Sequence, residues 1–107
     1  MDYDINTAID AYSHSMGNRR EALAEFCGTR GLVDRETEIR AAIDKIQGDI
    51  FDLISRMARE RGPLSADEIE KVTVGHCGRH YPDVNESGVR GLLRWIVWMA
   101  WHEGCMQ

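Results

Sequence analysis

The sequence predicts an all-α protein, a small bundle of four to five helices that forms a single domain over residues 1–107. Two apolar patterns support this fold class: a long central helix over about residues 34–61 and an apolar C-terminal helix over about residues 85–103. The third observation is the lack of a convincing alternation of apolar and polar residues, with the β-branched stretch 72–74 as the only place where a strand could form.

The N-terminal region is predicted to form one helix that is interrupted or bent near Gly17. On both sides of this glycine, apolar residues recur at the spacing of a helix face, namely Ile5, Ile9, Tyr12, Leu23 and Phe26. Two glycines within the stretch 28–31 then predict a turn that separates this region from the central helix.

The central helix carries the most regular apolar pattern in the chain. Asp34 is its predicted N-cap, because an aspartate side chain can accept a hydrogen bond from the first turn of a helix. Apolar residues alternate in steps of four and three, as in a heptad repeat: Ile39, Ile43, Ile46, Ile50, Leu53 and Met57. We expect this seam to pack inside a bundle, and it is also a candidate for pairing with a second copy across a twofold axis. Gly48 marks either a local weakness or the close approach of another helix.

A capping box predicts where the third helix begins. Ser65 and Glu68 have the Ser-x-x-Glu spacing, so this helix should start at Ala66, after a Gly-Pro pair has ended the central helix. Its C-terminal end falls either near Gly75 or at His80, since a helix breaker follows each of these points closely.

The C-terminal helix is predicted to have two apolar faces. Asn85 or Asp83 is its N-cap, and Gly104 follows its last turn. Three tryptophans spaced three apart lie opposite a second apolar set that consists of Val89, Leu93, Ile96 and Ala100. A chain of 107 residues has little else to cover a second apolar face. We therefore expect a partner to contact the tryptophans and the cationic or polar residues beside them: Trp95, Trp98, Trp101, Arg90, Arg94 and His102.

This surface predicts a protein that acts by binding another protein, as an adaptor or inhibitor, and not by catalysis. A homodimer is the simplest assembly that would cover the face. The competing interpretation is that the C-terminal helix lies at the centre of the bundle and is buried on every side. We expect no cofactor, because the common catalytic and nucleotide-binding motifs are missing from the sequence.

The charge distribution argues against a uniformly basic nucleic-acid-binding protein. The formal net charge is −5, and residues 1–54 hold eleven acids against six bases while residues 55–107 hold seven of each. We also expect a cytoplasmic protein. No signal peptide is visible, the longest apolar run, Trp95–Trp101, is too short to cross a bilayer, and three cysteines without a CxxC pair favour reduced thiols.

A DNA-binding element is the first alternative. The stretches GPLSADEI at 62–69 and YPDVNESGVR at 81–90 resemble the second and third helices of winged-helix regulators. The resemblance implies that residues 62–101 form a degenerate helix-turn-helix element whose recognition helix enters the major groove. The residues that would contact DNA are Asn85, Ser87, Arg90 and Arg94.

A zinc-binding helical protein is the second alternative. If residues 76–80 are helical, two histidines share one face, and a His-x-x-Cys pair near the C-terminus could complete a tetrahedral site. The four candidate ligands are His76, His80, His102 and Cys105. No CxxC or HExxH motif accompanies them, so we expect no metal and keep these residues as candidates only.

Overall fold

The computed structural model describes residues 3–13 and 17–107, over which the chain folds as a bundle of five α-helices. Their bounds are α1 Ile5–Ser13, α2 Arg19–Thr29, α3 Glu36–Arg61, α4 Ala66–His80 and α5 Glu86–His102. The described residues contain no strand, and a single isolated parallel bridge joins Leu64 to Met106. The predicted all-α bundle with a long central helix is confirmed, with 26 residues in α3. Within this same part of the chain, no helix is long and apolar enough to cross a membrane.

The predicted N-cap of the central helix, Asp34, is wrong, and the helix starts with a 3-10 turn. Asp34 lies in a short 3-10 turn, Val33–Arg35, and the N-cap of α3 is Arg35, whose side chain makes no capping hydrogen bond. The turn is closed by the backbone, since the Arg35 N–H donates to the carbonyl oxygen of Leu32. The 3-10 turn therefore leads the chain directly into α3 without an aspartate cap.

The remaining predicted boundaries follow local capping chemistry. In the capping box of α4, the Glu68 N–H donates to Ser65 Oγ at 3.2 Å, and the Ser65 N–H donates to the Glu68 carboxylate. Asn85, not Asp83, caps α5, because its side-chain oxygen accepts a hydrogen bond from the Gly88 N–H at 3.1 Å. Helix α4 continues through its glycines to His80, which decides between the two predicted ends.

The seam of α3 forms the core of the chain. Its first four isoleucines are buried, as is Ile54 one turn further on, whereas Leu53 and Met57 are only partly buried. The buried set on α3 thus comprises Ile39, Ile43, Ile46, Ile50 and Ile54. Because packing within the chain already uses this face, we do not place a self-association surface on the seam.

Helix α5 packs against α1, α3 and α4. Its approach to α1 is unusually close, because two glycines of α5 face that helix. A Cβ atom at Gly91 would lie 2.8 Å from Cγ2 of Ile9, and one at Gly88 would overlap the side chain of Asn6. Because these glycines have no side chains, the backbone of α5 packs directly against side chains of α1.

Asn6 also holds the segment that connects α4 to α5. Its buried side chain donates a hydrogen bond to the Asp83 carbonyl oxygen at 3.0 Å and accepts one from the Asn85 N–H at 2.9 Å. Both ends of the amide are thus satisfied, and the N-terminus of α5 is fixed against α1.

Candidate protein-binding surface on helix α5

The three tryptophans of α5 occupy two different environments. Trp95 is half-buried, with its ring edge-on to Phe51 of α3 at a centroid distance of 6.1 Å. The Arg19 guanidinium of α2 lies 5.4 Å from the centre of the Trp95 ring. Trp95 is therefore part of the packing between α5, α3 and α2, and little of it is free for a partner.

Trp98 and Trp101 are exposed. The side chains retain 42% and 67% of their accessible surface, respectively, whereas most large apolar residues of the described chain are buried. His102 stacks on Trp98 with ring centroids 4.5 Å apart and an interplanar angle of 29°, and it meets Trp101 at 6.1 Å. Trp98, Trp101 and His102 form one continuous surface at the C-terminal end of α5, which we call the aromatic patch.

The two predicted arginines lie on the same exposed side of α5, and each is paired with an acid. Arg94 Nη1 donates to Asp10 Oδ1 of α1 at 2.9 Å, and Arg90 Nη2 donates to Glu86 Oε1 at 2.7 Å. All four side chains are about half exposed or more, so the pairs stabilise the fold only slightly. The exposed side of α5 next to the aromatic patch therefore carries both positive and negative charges.

A groove between α4 and α5 borders this surface. Its volume is about 340 Å³, and its walls combine aliphatic residues with two glutamates and Arg90. Burial raises the pKa of the Cys77 thiol in this groove to about 11, so the thiol is neutral and unreactive near neutral pH. The aliphatic lining consists of Val74, Val84, Val89 and Leu93.

The predicted zinc ligands do not come together. His76 and His80 do share a face of α4, with ring centroids 4.6 Å apart. The Leu64–Met106 bridge, however, holds the C-terminal residues beside the start of α4, more than two helical turns from His76. Over residues 3–13 and 17–107, no group of three or more His, Cys, Asp or Glu side chains could hold a metal ion. The four-ligand candidate set of His76, His80, His102 and Cys105 is therefore not assembled.

The predicted DNA-contacting residues lie at and after the N-terminus of α5. Asn85 is used as the helix cap, and Ser87 is exposed. Arg90 and Arg94 are both engaged by carboxylates, which would have to be displaced or neutralised before the arginines could bind phosphate. In the described chain no strand follows α5, so the part that would form a wing is not seen.

One polar cluster was not found by sequence reasoning. At the C-terminal end of α4, Tyr81 Oη donates to Asp49 Oδ2 of α3 at 2.7 Å, and Lys45 Nζ donates to the same oxygen at 2.8 Å. The bonds from Lys45 and Tyr81 lower the pKa of Asp49. Because Tyr81 and Asp49 are 32 residues apart in the chain, no local pattern points to this contact.

No family model matches the chain, and no match is found among curated proteins or solved structures.

Proposed function

We propose that this chain acts by binding another protein through the aromatic patch of α5, as an adaptor or inhibitor and without catalysing a reaction. The observation that carries the proposal is the exposure of Trp101 and Trp98, at 67% and 42% of their surface, on a helix whose opposite face is packed against three other helices. Aromatic residues next to arginine are enriched among the residues that contribute most to protein interfaces.

The local charges favour a protein partner over DNA. The chain has a formal net charge of −5, and each arginine beside the patch is already paired with a carboxylate. Binding to DNA depends on unpaired basic side chains that replace condensed counterions. The stacked rings of Trp98 and His102 instead present a flat aromatic area for a second protein surface to cover.

The partner at the patch is either a second copy of the chain, which is the simplest case, or a different protein. In an isologous dimer, the same surface of each copy would cover the patch of its partner. Sedimentation velocity on the purified chain distinguishes the two, because a homodimer must dissociate on dilution whereas an adaptor can be a monomer without its partner.

The test is a comparison of wild type with the double variant Trp98→Ala/Trp101→Ala. We expect the double variant to weaken assembly by roughly tenfold or more, as truncation of central interface aromatics does, with a nearly unchanged midpoint of urea unfolding. Val33→Ala is the matched control, because Val33 is a similarly exposed apolar side chain, at 62%, in the 3-10 turn away from α5.

Two results would contradict the proposal. One is equal assembly by wild type and the double variant, whether with a second copy or with a partner captured by the wild type. The other is binding of duplex DNA at low salt that is lost in Arg90→Gln and Arg94→Gln but kept in the tryptophan variant, which would support the winged-helix alternative instead.

A further inference from the structure

The groove between α4 and α5 continues onto the outer surface of α4. A second cavity of about 350 Å³ adjoins the first, and Glu70 and Val74 line both. Val74 is 51% exposed, although most large apolar side chains of the described chain are buried. From Asp67 in the second cavity to Gly78 in the first, the α4 wall runs for about 16 Å. We call the two cavities together the extended groove.

Two glycines keep the α4 wall of the extended groove low. Gly75 lines the second cavity, and Gly78 lines the first. Glycine destabilises the interior of a helix relative to alanine. A Cβ atom at Gly78 would meet nothing within 4 Å, so packing within the described chain does not require a glycine there. The missing side chain instead lets a second backbone approach α4 closely.

Glu70 gives the extended groove an unpaired negative charge. Glu86 on the α5 side already pairs with Arg90 at 2.7 Å. The other charged residues of the lining are Asp67, Glu70 and Lys71. Among the described residues, Glu70 forms no ion pair, and it is the only charged residue that lines both cavities. An occupant that runs along the groove therefore covers this carboxylate, which is unfavourable unless the occupant supplies a cation.

The walls of the extended groove favour a helix as its occupant. Both walls are α-helices whose backbone groups are bonded internally, and the part of the chain that the structure describes has no strand edge with which an extended peptide could pair. A helical occupant satisfies its own backbone and contributes side chains. The aliphatic side chains that it would contact are Val74, Val89 and Leu93.

We propose that the extended groove binds an amphipathic helix of another protein, which places aliphatic side chains between α4 and α5 and a lysine or arginine beside Glu70. Anchors at positions i, i+4 and i+7 of such a helix lie on one face, and a helix of about three turns matches the length of the α4 wall. The extended groove is a different surface from the aromatic patch, and this inference does not rest on the patch.

Selection from a peptide library provides the probe. Helical peptides randomised along one face are displayed on phage and selected on the full wild-type chain. We expect the enriched peptides to carry leucine, isoleucine or valine at helical spacing with an adjacent lysine or arginine. Enrichment of peptides with an acidic residue in that place, or of no peptide above background, overturns the proposal.

A charge reversal at Glu70 tests the ionic contact with a selected peptide. Glu70→Lys replaces attraction by repulsion, so the Kd measured by fluorescence anisotropy should rise roughly tenfold. The matched control is Glu25→Lys, because Glu25 is also an exposed acid in a helix but lies on α2, outside the extended groove. The control should bind the peptide as wild type does.

An added methyl group at Gly78 tests the close approach of the occupant. Gly78→Ala should raise the Kd by about fivefold or more, because the methyl group enters the space that the partner helix fills. The same variant should not lower the midpoint of urea unfolding, since its Cβ atom has open space in the free chain. Gly48→Ala is the matched control, because it also adds a Cβ atom in open space, but on α3.

Three further results would overturn the proposal. The first is an equal Kd for wild type, Glu70→Lys and Gly78→Ala. The second is a wild-type homodimer in sedimentation velocity that Gly78→Ala dissociates, because the occupant is then a second copy of the chain. The third is a loss of peptide binding in Trp98→Ala/Trp101→Ala, which would place the peptide on the aromatic patch instead of the extended groove.

Discussion

Trp95 and Trp101 belong to the same helix and the same three-residue repeat, yet Trp95 is packed against other helices and Trp101 is exposed to solvent. Trp95 lies edge-on to Phe51 and close to the Arg19 guanidinium, whereas Trp101 is 67% exposed. Each step of three residues turns the side chain by about 60° around the helix, so the first and last tryptophans point about 120° apart. A repeat of three therefore does not stay on one face, and the triplet divides between the core and the exposed aromatic patch.

The largest effect should come from removing the packed member of this pair. Trp95→Ala should lower the free energy of unfolding by about 2–4 kcal/mol, because it leaves a cavity between α5, α3 and α2. Trp101→Ala, its matched control on the outer face, should change it by less than about 0.5 kcal/mol. Urea unfolding followed by far-UV circular dichroism measures both. Equal losses in the two variants would show that the outer tryptophan is also structural.

The packing of α5 against α1 also depends on the lack of a side chain at Gly91. Gly91→Ala should lower the free energy of unfolding by about 1–3 kcal/mol, because the new methyl group would press on Ile9 and on the backbone of α1. Gly48→Ala is the control of opposite sign. A Cβ atom at Gly48 would meet nothing within 4 Å, so alanine should stabilise α3 by about 0.5–1 kcal/mol. Thermal unfolding of both variants and of wild type measures these two changes in stability. A stabilising Gly91→Ala would mean that α1 does not pack on α5 at this distance.

The same contrast shows how far the sequence could predict the molecule. The isoleucine seam of α3 and the capping box at Ser65 are predicted correctly, and Asn85 is one of the two predicted caps of α5, because each depends on neighbours within one or two turns. The division of the tryptophans was not. Both faces of α5 are apolar in sequence, and only the positions of α1, α3 and α4 decide which one is covered.

Contacts between distant residues explain the other errors and omissions. The sequence grouped His76 with His102 as candidate ligands, but the chain reverses between α4 and α5 and carries the two histidines to different ends of the bundle. The Tyr81–Asp49 bond and the hydrogen bonds of Asn6 to the α4–α5 connection join residues 32 to 79 positions apart. Such pairs leave no periodic signal, because each partner is a single polar residue within an otherwise ordinary helix or loop.

The smallest effect should come from the ion pair that flanks the outer face. Asp10→Asn removes the partner of Arg94, but both side chains are about half exposed, so the free energy of unfolding should fall by less than about 0.5 kcal/mol. The loss should shrink further in 0.5 M NaCl, where exposed charges are screened. Urea unfolding at low and high salt measures both values. A larger, salt-independent loss would mean that Asp10 helps to hold α1 against α5 through packing, and that the outer face is less separate from the core than its exposure indicates.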